Sequence, residues 1–283
     1  MNANSLPQTL VIKDWLTKAP RQLSKVGIPN AHLDAEIILA HILNKSRTYL
    51  HAHPEQIIDS AQCKIADFSL NQRVNRVPMA YIVGHKEFYG REFIVTPATL
   101  IPRPESESII ELLKKILPPT TYHLPPTKLV DIGTGCGCLG ITAKLEFPAL
   151  DVTLTDISAD ALKAATQNTK KFSANVTIMQ SDLLQNCDIK PDIIIANLPY
   201  VDRTWDRPPE TDYEPTLALF ADNHGKSIIE RLLIQASNSL KPNGYIIIEA
   251  DPVQHNSLIK YAKKQSFTPV HQLDYAIAFK HQY

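Results

Sequence analysis

An α/β fold with a mostly parallel sheet, carried behind a small all-helical region, is predicted by three features of this sequence. From Lys128 onward, short β-branched apolar runs alternate with amphipathic stretches of helical period, the pattern of a sheet covered on both faces. Residues 1–75 place apolar side chains at helical spacing and show no strand-like alternation. Four of the nine glycines (Gly133, Gly135, Gly137 and Gly140) follow the first predicted strand, where the chain must take conformations that other residues resist.

The elements follow in order. Leu10, Val11, Trp15 and Leu16 form the apolar stripe of a first helix, ended by Gly27 and Pro29. A second helix is expected at 31–45, carrying Ile37, Ile38, His41 and Ile42, and a third at 60–74. Trp15 and Phe68 are expected in the core of this 1–75 domain. Over 76–105 the character changes. Tyr81-Ile82-Val83-Gly84 and the run from Glu87 to Val95 carry aromatic and β-branched residues about a glycine, which predicts a β-hairpin linking two domains. Pro102 and Pro104 keep the next segment extended until a helix begins near Ser106. Within 106–283, strands are expected at 129–132, 152–156, 176–180, 192–197, 245–249, 271–273 and 275–279. Helices are expected at 139–147, 159–172, 227–240 and 254–265.

Lys and Arg together number 29, as do Asp and Glu, so the net charge is zero. A broad phosphate-gripping face needs a basic excess, although Arg73, Arg76, Lys86, Arg91 and Arg103 could form a modest patch. No basic start followed by an apolar core marks a signal peptide. No apolar run reaches the ~18 residues of a membrane span. Cys63, Cys136, Cys138 and Cys187 lack the spacing of a zinc site, so reduced thiols in the cytoplasm are expected.

Asp131-Ile132-Gly133-Thr134-Gly135-Cys136-Gly137 leaves a strand and opens a helix. Backbone N–H groups at such a turn favour a polar or anionic ligand group. Asp156 ends the next strand and can accept hydrogen bonds from two ribose hydroxyls; Asp182 ends the third and can face an adenine. The spacing through Gly140 also fits a dinucleotide fingerprint, so a methyl donor and NAD both remain open on these residues. Asn197-Leu198-Pro199-Tyr200 closes the fourth strand. The Asn197 side-chain oxygen and the Leu198 carbonyl can each accept one N–H of a planar NH₂ substrate. Pro199 fixes that geometry, and Tyr200 can cover the flat face. Such a corner suits a poor nitrogen nucleophile whose positive charge develops in the transition state.

With these motifs the chain resembles the HemK/PrmC family of protein-glutamine N5-methyltransferases. The likeness extends over Asp34-Ala35-Glu36, His53-Pro54-Glu55, Pro78 to Gly84, Phe88-Tyr89-Gly90, Val95-Thr96-Pro97, Leu100 to Glu105, Asp131 to Gly137, Asp156, Asp182, Asn197 to Tyr200, Glu214-Pro215, Ala218-Leu219, Gly244, Glu249 and Gln254. The resemblance implies a seven-stranded, Rossmann-like class I methyltransferase domain using S-adenosylmethionine. Its implied substrate is the glutamine of the Gly-Gly-Gln motif in peptide chain release factors. It places Asn197, Pro199 and Tyr200 in catalysis, with Leu198 beside them on the substrate. Donor binding falls to Asp131, Gly133, Thr134, Gly135, Cys136, Gly137, Asp156, Asp182, Leu183 and Asn197. Three departures stand out: Leu198 replaces the family's usual proline, Leu183 its frequent aromatic, and residues 220–225 keep only Gly225 of a glycine-rich stretch. The helical domain, Phe88 and Arg103 are expected to dock the protein substrate. The alternatives are an adenine-N6 methyltransferase on DNA or RNA, a glutamine methyltransferase acting on a ribosomal protein, an NAD-dependent oxidoreductase and a non-catalytic binding protein. Neither a membrane nor sequence-specific nucleic-acid contact is expected.

Overall fold

The structure is a computed structural model that describes residues 10–117, 127–185 and 187–282. The chain forms two compact units, one of Met1–Gly84 with Pro209–Tyr213 and one of His85–Pro208 with Glu214–Tyr283.

The first unit contains β1 (Leu10–Val11), α1 (Ile12–Lys25), α2 (Ala31–Leu43), α3 (Arg47–Ala52), β2 (Ile57–Ile58), α4 (Ser60–Val74) and α5 (Met79–Val83). Helix α4 starts where Asp59 and Gln62 form a reciprocal capping box, which satisfies donors the helix would otherwise leave free. Ile12, Trp15, Leu23, Leu39, Leu50 and Leu70 close the core. Three expectations are corrected. Leu10 and Val11 pair with Ile58 and Ile57 in a two-residue ladder, too short to produce a readable alternation. Tyr81–Val83 belong to α5, which Gly84 ends at φ 78°. Phe68 is 64% exposed while Trp15 is 2% exposed, because α4 buries its Ala66, Ser69, Leu70 and Arg73 face and leaves Phe68 outside it; the exposed Asp67 carboxylate accepts Trp15 Nε1–H at 3.1 Å.

Arg73 is buried in this unit. Its Nε donates to Asp34 at 2.7 Å and its Nη1 to Glu210 at 3.0 Å. Arg76 reaches the same Glu210 oxygen at 3.2 Å. A buried guanidinium is tolerated only with such partners, and they hold Pro209–Tyr213 in the unit.

The second unit begins with the hairpin β3 (His85–Phe88) and β4 (Arg91–Ile94), which turns at Tyr89 and Gly90, both at positive φ. A 3₁₀ turn (Pro104–Ser106) leads into α6 (Glu107–Ile116). Then follow β5 (Lys128–Ile132), α7 (Cys138–Glu146), β6 (Asp151–Asp156), α8 (Ala159–Phe172), β7 (Thr177–Gln180), β8 (Ile193–Ala196), α9 (Thr216–Leu219), α10 (Asp222–Gly225), α11 (Ser227–Ser239), β9 (Tyr245–Glu249), α12 (Pro252–Lys264), β10 (Phe267–Leu273) and β11 (Ala276–His281). The seven-stranded sheet has the order β10-β11-β9-β8-β5-β6-β7, with β11 antiparallel to both neighbours and the other pairs parallel. The central strands are buried on both faces: β8 reads as an unbroken hydrophobic run, while β5 and β9 carry apolar runs interrupted or ended by the buried carboxyls of Asp131 and Glu249. The hairpin is seated on this unit by Asn168 of α8, fully buried, which exchanges two 2.8 Å hydrogen bonds with the backbone of Ile94 and donates to Cys136 O at 2.8 Å.

Candidate active site

The chain runs β5-β6-β7 outward and returns to β8 on the other side of β5. Strand order therefore reverses between β5 and β8, where open α/β sheets bind ligands beyond their carboxyl ends. A cavity lies there, lined by Gly133, Thr134, Gly135 and Cys136 after β5, Asp156 at the end of β6, Asp182 and Leu183 after β7, and Asn197, Leu198 and Pro199 after β8.

The glycine loop owes its shape to close packing. Gly133 has φ 69°, and a Cβ there would come within 2.8 Å of Leu198 Cδ2. A Cβ on Gly140 would meet Leu154 at 2.2 Å and the Asp131 carboxylate at 2.9 Å. Asp131 lies behind the loop and is fully buried. Its Oδ2 accepts Thr134 Oγ1–H at 2.6 Å and Gly140 N–H at 2.9 Å. This corrects the expectation that Asp131 meets the donor: it shapes the loop from beneath. Burial pushes its carboxyl up to about 7, against the pull of those two hydrogen bonds and with help from Asp156. Gly137 likewise caps α7 at φ 86° and does not line the cavity.

Asp156 faces the cavity. Its Oδ2 accepts Gly135 N–H at 2.8 Å and its Oδ1 accepts Ser158 N–H at 2.9 Å. Each oxygen keeps a lone pair, so the carboxylate is locked in place and still able to take a diol. Burial raises its pKa, while the N–H groups of Ser158, Gly135 and Ile157 lower it. Asp182 is met by Arg231 of α11 at 2.5 Å. Leu183 adopts φ 52° and packs into the sheet core, offering an aliphatic wall in place of an aromatic one. Cys138 is held well above its ordinary pKa by its hydrogen bond with Cys136 and by burial, so it stays a neutral packing group. A polar loop, a fixed carboxylate and apolar walls suit a nucleoside carrying a sulfonium.

At the fourth strand, Asn197 Nδ2 donates to Ser106 Oγ at 2.8 Å. That leaves Oδ1 as the group available to a ligand. Tyr200 stands elsewhere than expected. It packs on the core and its hydroxyl donates to Glu249 Oε1 at 3.0 Å, and it does not line the cavity. Burial, then the neighbouring Glu249, push that hydroxyl above its ordinary pKa, so it remains a neutral donor. The Tyr200 carbonyl accepts Gln254 Nε2–H at 2.8 Å. Gly225, at φ 79°, lies so close to it that a Cβ would approach within 1.9 Å of that oxygen. The 220–225 loop thus needs glycine at this one position, and Asn223 and His224 take its other left-handed places.

The two docking candidates fare differently. Phe88 is 1% exposed and meets Phe93 edge to face; a hairpin seated on a helix buries its aromatics, so Phe88 is corrected to a core residue. Arg103 is part-exposed and ion-paired with Glu214, whose other oxygen accepts Ile101 N–H at 3.0 Å. Four residues of the expected basic patch are ion-paired: Arg73 meets Asp34 and Glu210, Arg76 meets Glu210, Arg91 meets Glu146 and Arg103 meets Glu214. The cavity also takes in residues that no motif singled out for it. Thr99, Pro102, Ser106, Leu217, Phe220 and Arg231 line it. The 100–105 run signals the presence of its own segment but not its place at the cavity, and Arg231 has no signal beyond one polar position on an amphipathic helix.

Residues 14–84 match the family model PrmC N-terminal domain and residues 110–208 match Methyltransferase small domain. A release factor glutamine methyltransferase of Koribacter versatilis is 37% identical over 256 residues, covering 86% of this chain and 89% of the relative. A bifunctional methyltransferase of Rickettsia felis is 33% identical over 84% of this chain, which spans about half (51%) of that longer protein. Among solved structures, a 16S rRNA N2 G1207 methyltransferase of Thermus thermophilus, in complex with AdoMet and guanosine, superposes with a TM-score of 0.53 at 16% identity, over 70% of this chain and 50% of that one. It shares the class I methyltransferase fold.

Proposed function

The chain belongs to the release factor glutamine methyltransferase family, and on that premise we propose how its cavity methylates the side-chain amide N5 of a glutamine in a peptide chain release factor. The glutamine is that of the Gly-Gly-Gln motif, and the reaction takes place in the cytoplasm. S-adenosylmethionine supplies an electrophilic methyl group on a sulfonium. Asp156 holds the ribose diol, Gly133 to Cys136 wrap the polar end of the donor, and Asp182 with Leu183 bounds the adenine. Asn197 Oδ1 and the Leu198 carbonyl accept the two N–H bonds of the substrate amide. The glutamine nitrogen would bond to the methyl carbon as the bond from that carbon to the sulfonium breaks, leaving S-adenosylhomocysteine, and one N–H proton would pass to solvent. Both acceptors favour the positive charge that develops before the proton leaves. Leu198 supplies its carbonyl as a proline would, since that acceptor belongs to the backbone.

The observation that carries this reading is Asn197, whose NH₂ is engaged on Ser106 and whose oxygen is thereby left for a donor. A planar amide needs two acceptors, and this corner provides them beside the donor loop. Substrate selection is assigned to the first unit. Phe68, Ile65 and Ile57 are exposed on it, at 64, 54 and 58%, and large apolar side chains anchor protein interfaces.

The test uses the full chain with labelled S-adenosylmethionine and an intact release factor, the same factor with its Gly-Gly-Gln glutamine changed to alanine, a ribosomal protein, and DNA. Label is expected on the intact factor alone. Label on DNA or on the ribosomal protein, with the release factor unmodified, overturns the assignment.

A further inference from the structure

Beneath the Asn197 corner lies a buried carboxylate that the reaction so far leaves idle. Ala196 of β8 pairs with Ile248 of β9, which sets Asn197 beside Glu249. Glu249 is 1% exposed. Its Oε1 takes the Tyr200 hydroxyl, and its Oε2 has no hydrogen-bond partner among the described residues. The Ser106 hydroxyl, also 1% exposed, accepts Asn197 Nδ2–H at 2.8 Å. Ser106 and Asn197 both face the carboxylate and favour its charged form.

A serine hydroxyl has one proton to place. Because Ser106 Oγ receives a proton from Asn197, its own O–H points elsewhere, and an ionised carboxylate is an acceptor only. Ser106 faces the carboxylate, and the unpartnered Oε2 is the acceptor to which an ionised Glu249 draws that proton, so the chain of donors is directed from Asn197 through Ser106 to Glu249 by the carboxylate. A protonated Glu249 donates to Ser106 instead. Ser106 then turns its proton toward Asn197, and the amide that meets this proton with its oxygen presents NH₂ to the cavity. The substrate nitrogen would face a donor where it needs an acceptor.

We propose that Glu249 and Ser106 are positioning residues for methyl transfer: ionised Glu249 orients the Ser106 hydroxyl, which holds Asn197 with its oxygen toward the substrate amide. The proposal rests on Asn197 being an acceptor for that amide. The charged and titratable groups facing the carboxylate are Glu105 from the turn before α6, Tyr200 after β8 and Tyr275 between β10 and β11, with Asp251 at the start of α12 acting on both tyrosines. None of these is a cation that would keep Glu249 ionised. Burial first, then Glu105, push it up to about 7, against the hydrogen bonds of Ser106, Tyr200 and Asn197. The switch in direction therefore falls near neutral pH.

The experiment measures kcat/KM of the full chain at subsaturating S-adenosylmethionine, with intact release factor, from about pH 6 to 8.5, for wild type, Ser106→Ala and Glu249→Gln. Donor affinity is followed by calorimetry. Wild-type activity is expected to rise about tenfold per pH unit on the acid side and then level off. Both variants should keep donor affinity, lose roughly 10- to 100-fold in kcat with a smaller change in the KM for release factor, and show a flat profile over that range. A wild-type profile already flat between about pH 6 and 8, or a Ser106→Ala protein that keeps wild-type kcat and the acid limb, overturns the relay. Should Glu249→Gln fail to fold, the other two proteins decide the matter. An Asn197→Ala variant with wild-type kcat would instead remove Asn197 from the site, and a wild-type chain that leaves the release factor unmodified would remove the assigned function; either result takes the relay with it.

Discussion

Asn197 and Asp156 are the two side chains whose loss should separate chemistry from donor binding. Asn197→Ala removes an acceptor that matters as charge develops, so single-turnover rates should fall by about 100-fold or more while donor affinity changes little. Quench-flow with release factor, paired with calorimetry, measures both; a near-normal rate would end the acceptor role. Asp156→Ala should weaken S-adenosylmethionine by about 1.5–3 kcal/mol, the value of charge-assisted hydrogen bonds, and an unchanged dissociation constant in a folded protein would exclude the ribose contact. Asp131 is a matter of stability. Its folded pKa is raised from 3.8 to about 7, so the native state holds a proton that the unfolded chain releases between those values. The stability this contributes is complete below about pH 4 and is lost as pH rises to about 7. The stability of wild type relative to Asp131→Asn, which stays neutral at every pH, should therefore fall across that window in denaturation measurements and be flat above it. Residue identity alone could not give these roles. Asp131, Asp156 and Asp182 all stand at or just past the carboxyl ends of successive strands, yet the first points beneath the loop and the other two into the cavity. Tyr200 and Phe88 were misplaced for a similar reason: the sequence names an aromatic but not the neighbour that takes its edge or its hydroxyl.

Elements were more legible than side chains. The strands from β5 to β9 and the helices α8 and α11 stand within a residue or two of their expected limits, because long runs of one period outweigh any single residue. The start of β10, expected at 271 and found at Phe267, is hidden by Pro269 and the register shift after it; the other differences fall where an element is too short for a period to show. The β1-β2 ladder has two residues in each strand, α3 has six and α5 five. In α5 the β-branched Ile82 and Val83 suggested a strand, and tertiary packing overrode that preference. The glycines mark where an element cannot yield. Gly225→Ala would place a methyl 1.9 Å from the Tyr200 carbonyl at φ 79°, pushing on the backbone that follows the catalytic corner. Turnover on release factor should drop sharply with a lower melting temperature; alanine tolerated at wild-type activity would mean that the 220–225 loop is not a support for the corner.

For the molecule as a whole, the expected signature is a wide gap between substrates. A short glutamine peptide should have a far lower kcat/KM than the intact release factor, because binding energy remote from the amide is used to position it. Phe68→Ala with Ile65→Ala should close much of that gap by slowing reaction on the factor alone; equal losses on peptide and factor would mean the first unit does not select the substrate. The change in periodicity separates a helical part from an α/β part, with 76–105 expected as a linker between them; the return of Pro209–Tyr213 to the first unit could not be read, since nothing in those five residues announces a distant partner. That return bears on how the protein is made. On a ribosome the first unit emerges early, and domains generally fold as they emerge. Its apolar core needs nothing beyond Ile82. Arg73, however, is buried between Asp34 and a carboxylate that is synthesised 137 residues later. Until Glu210 arrives, the nascent unit carries a buried guanidinium with only one of its two carboxylate partners. The N-terminal unit thus begins folding first and finishes late, and a chain cut off before Glu210 would be left with a first unit that never reaches its final stability.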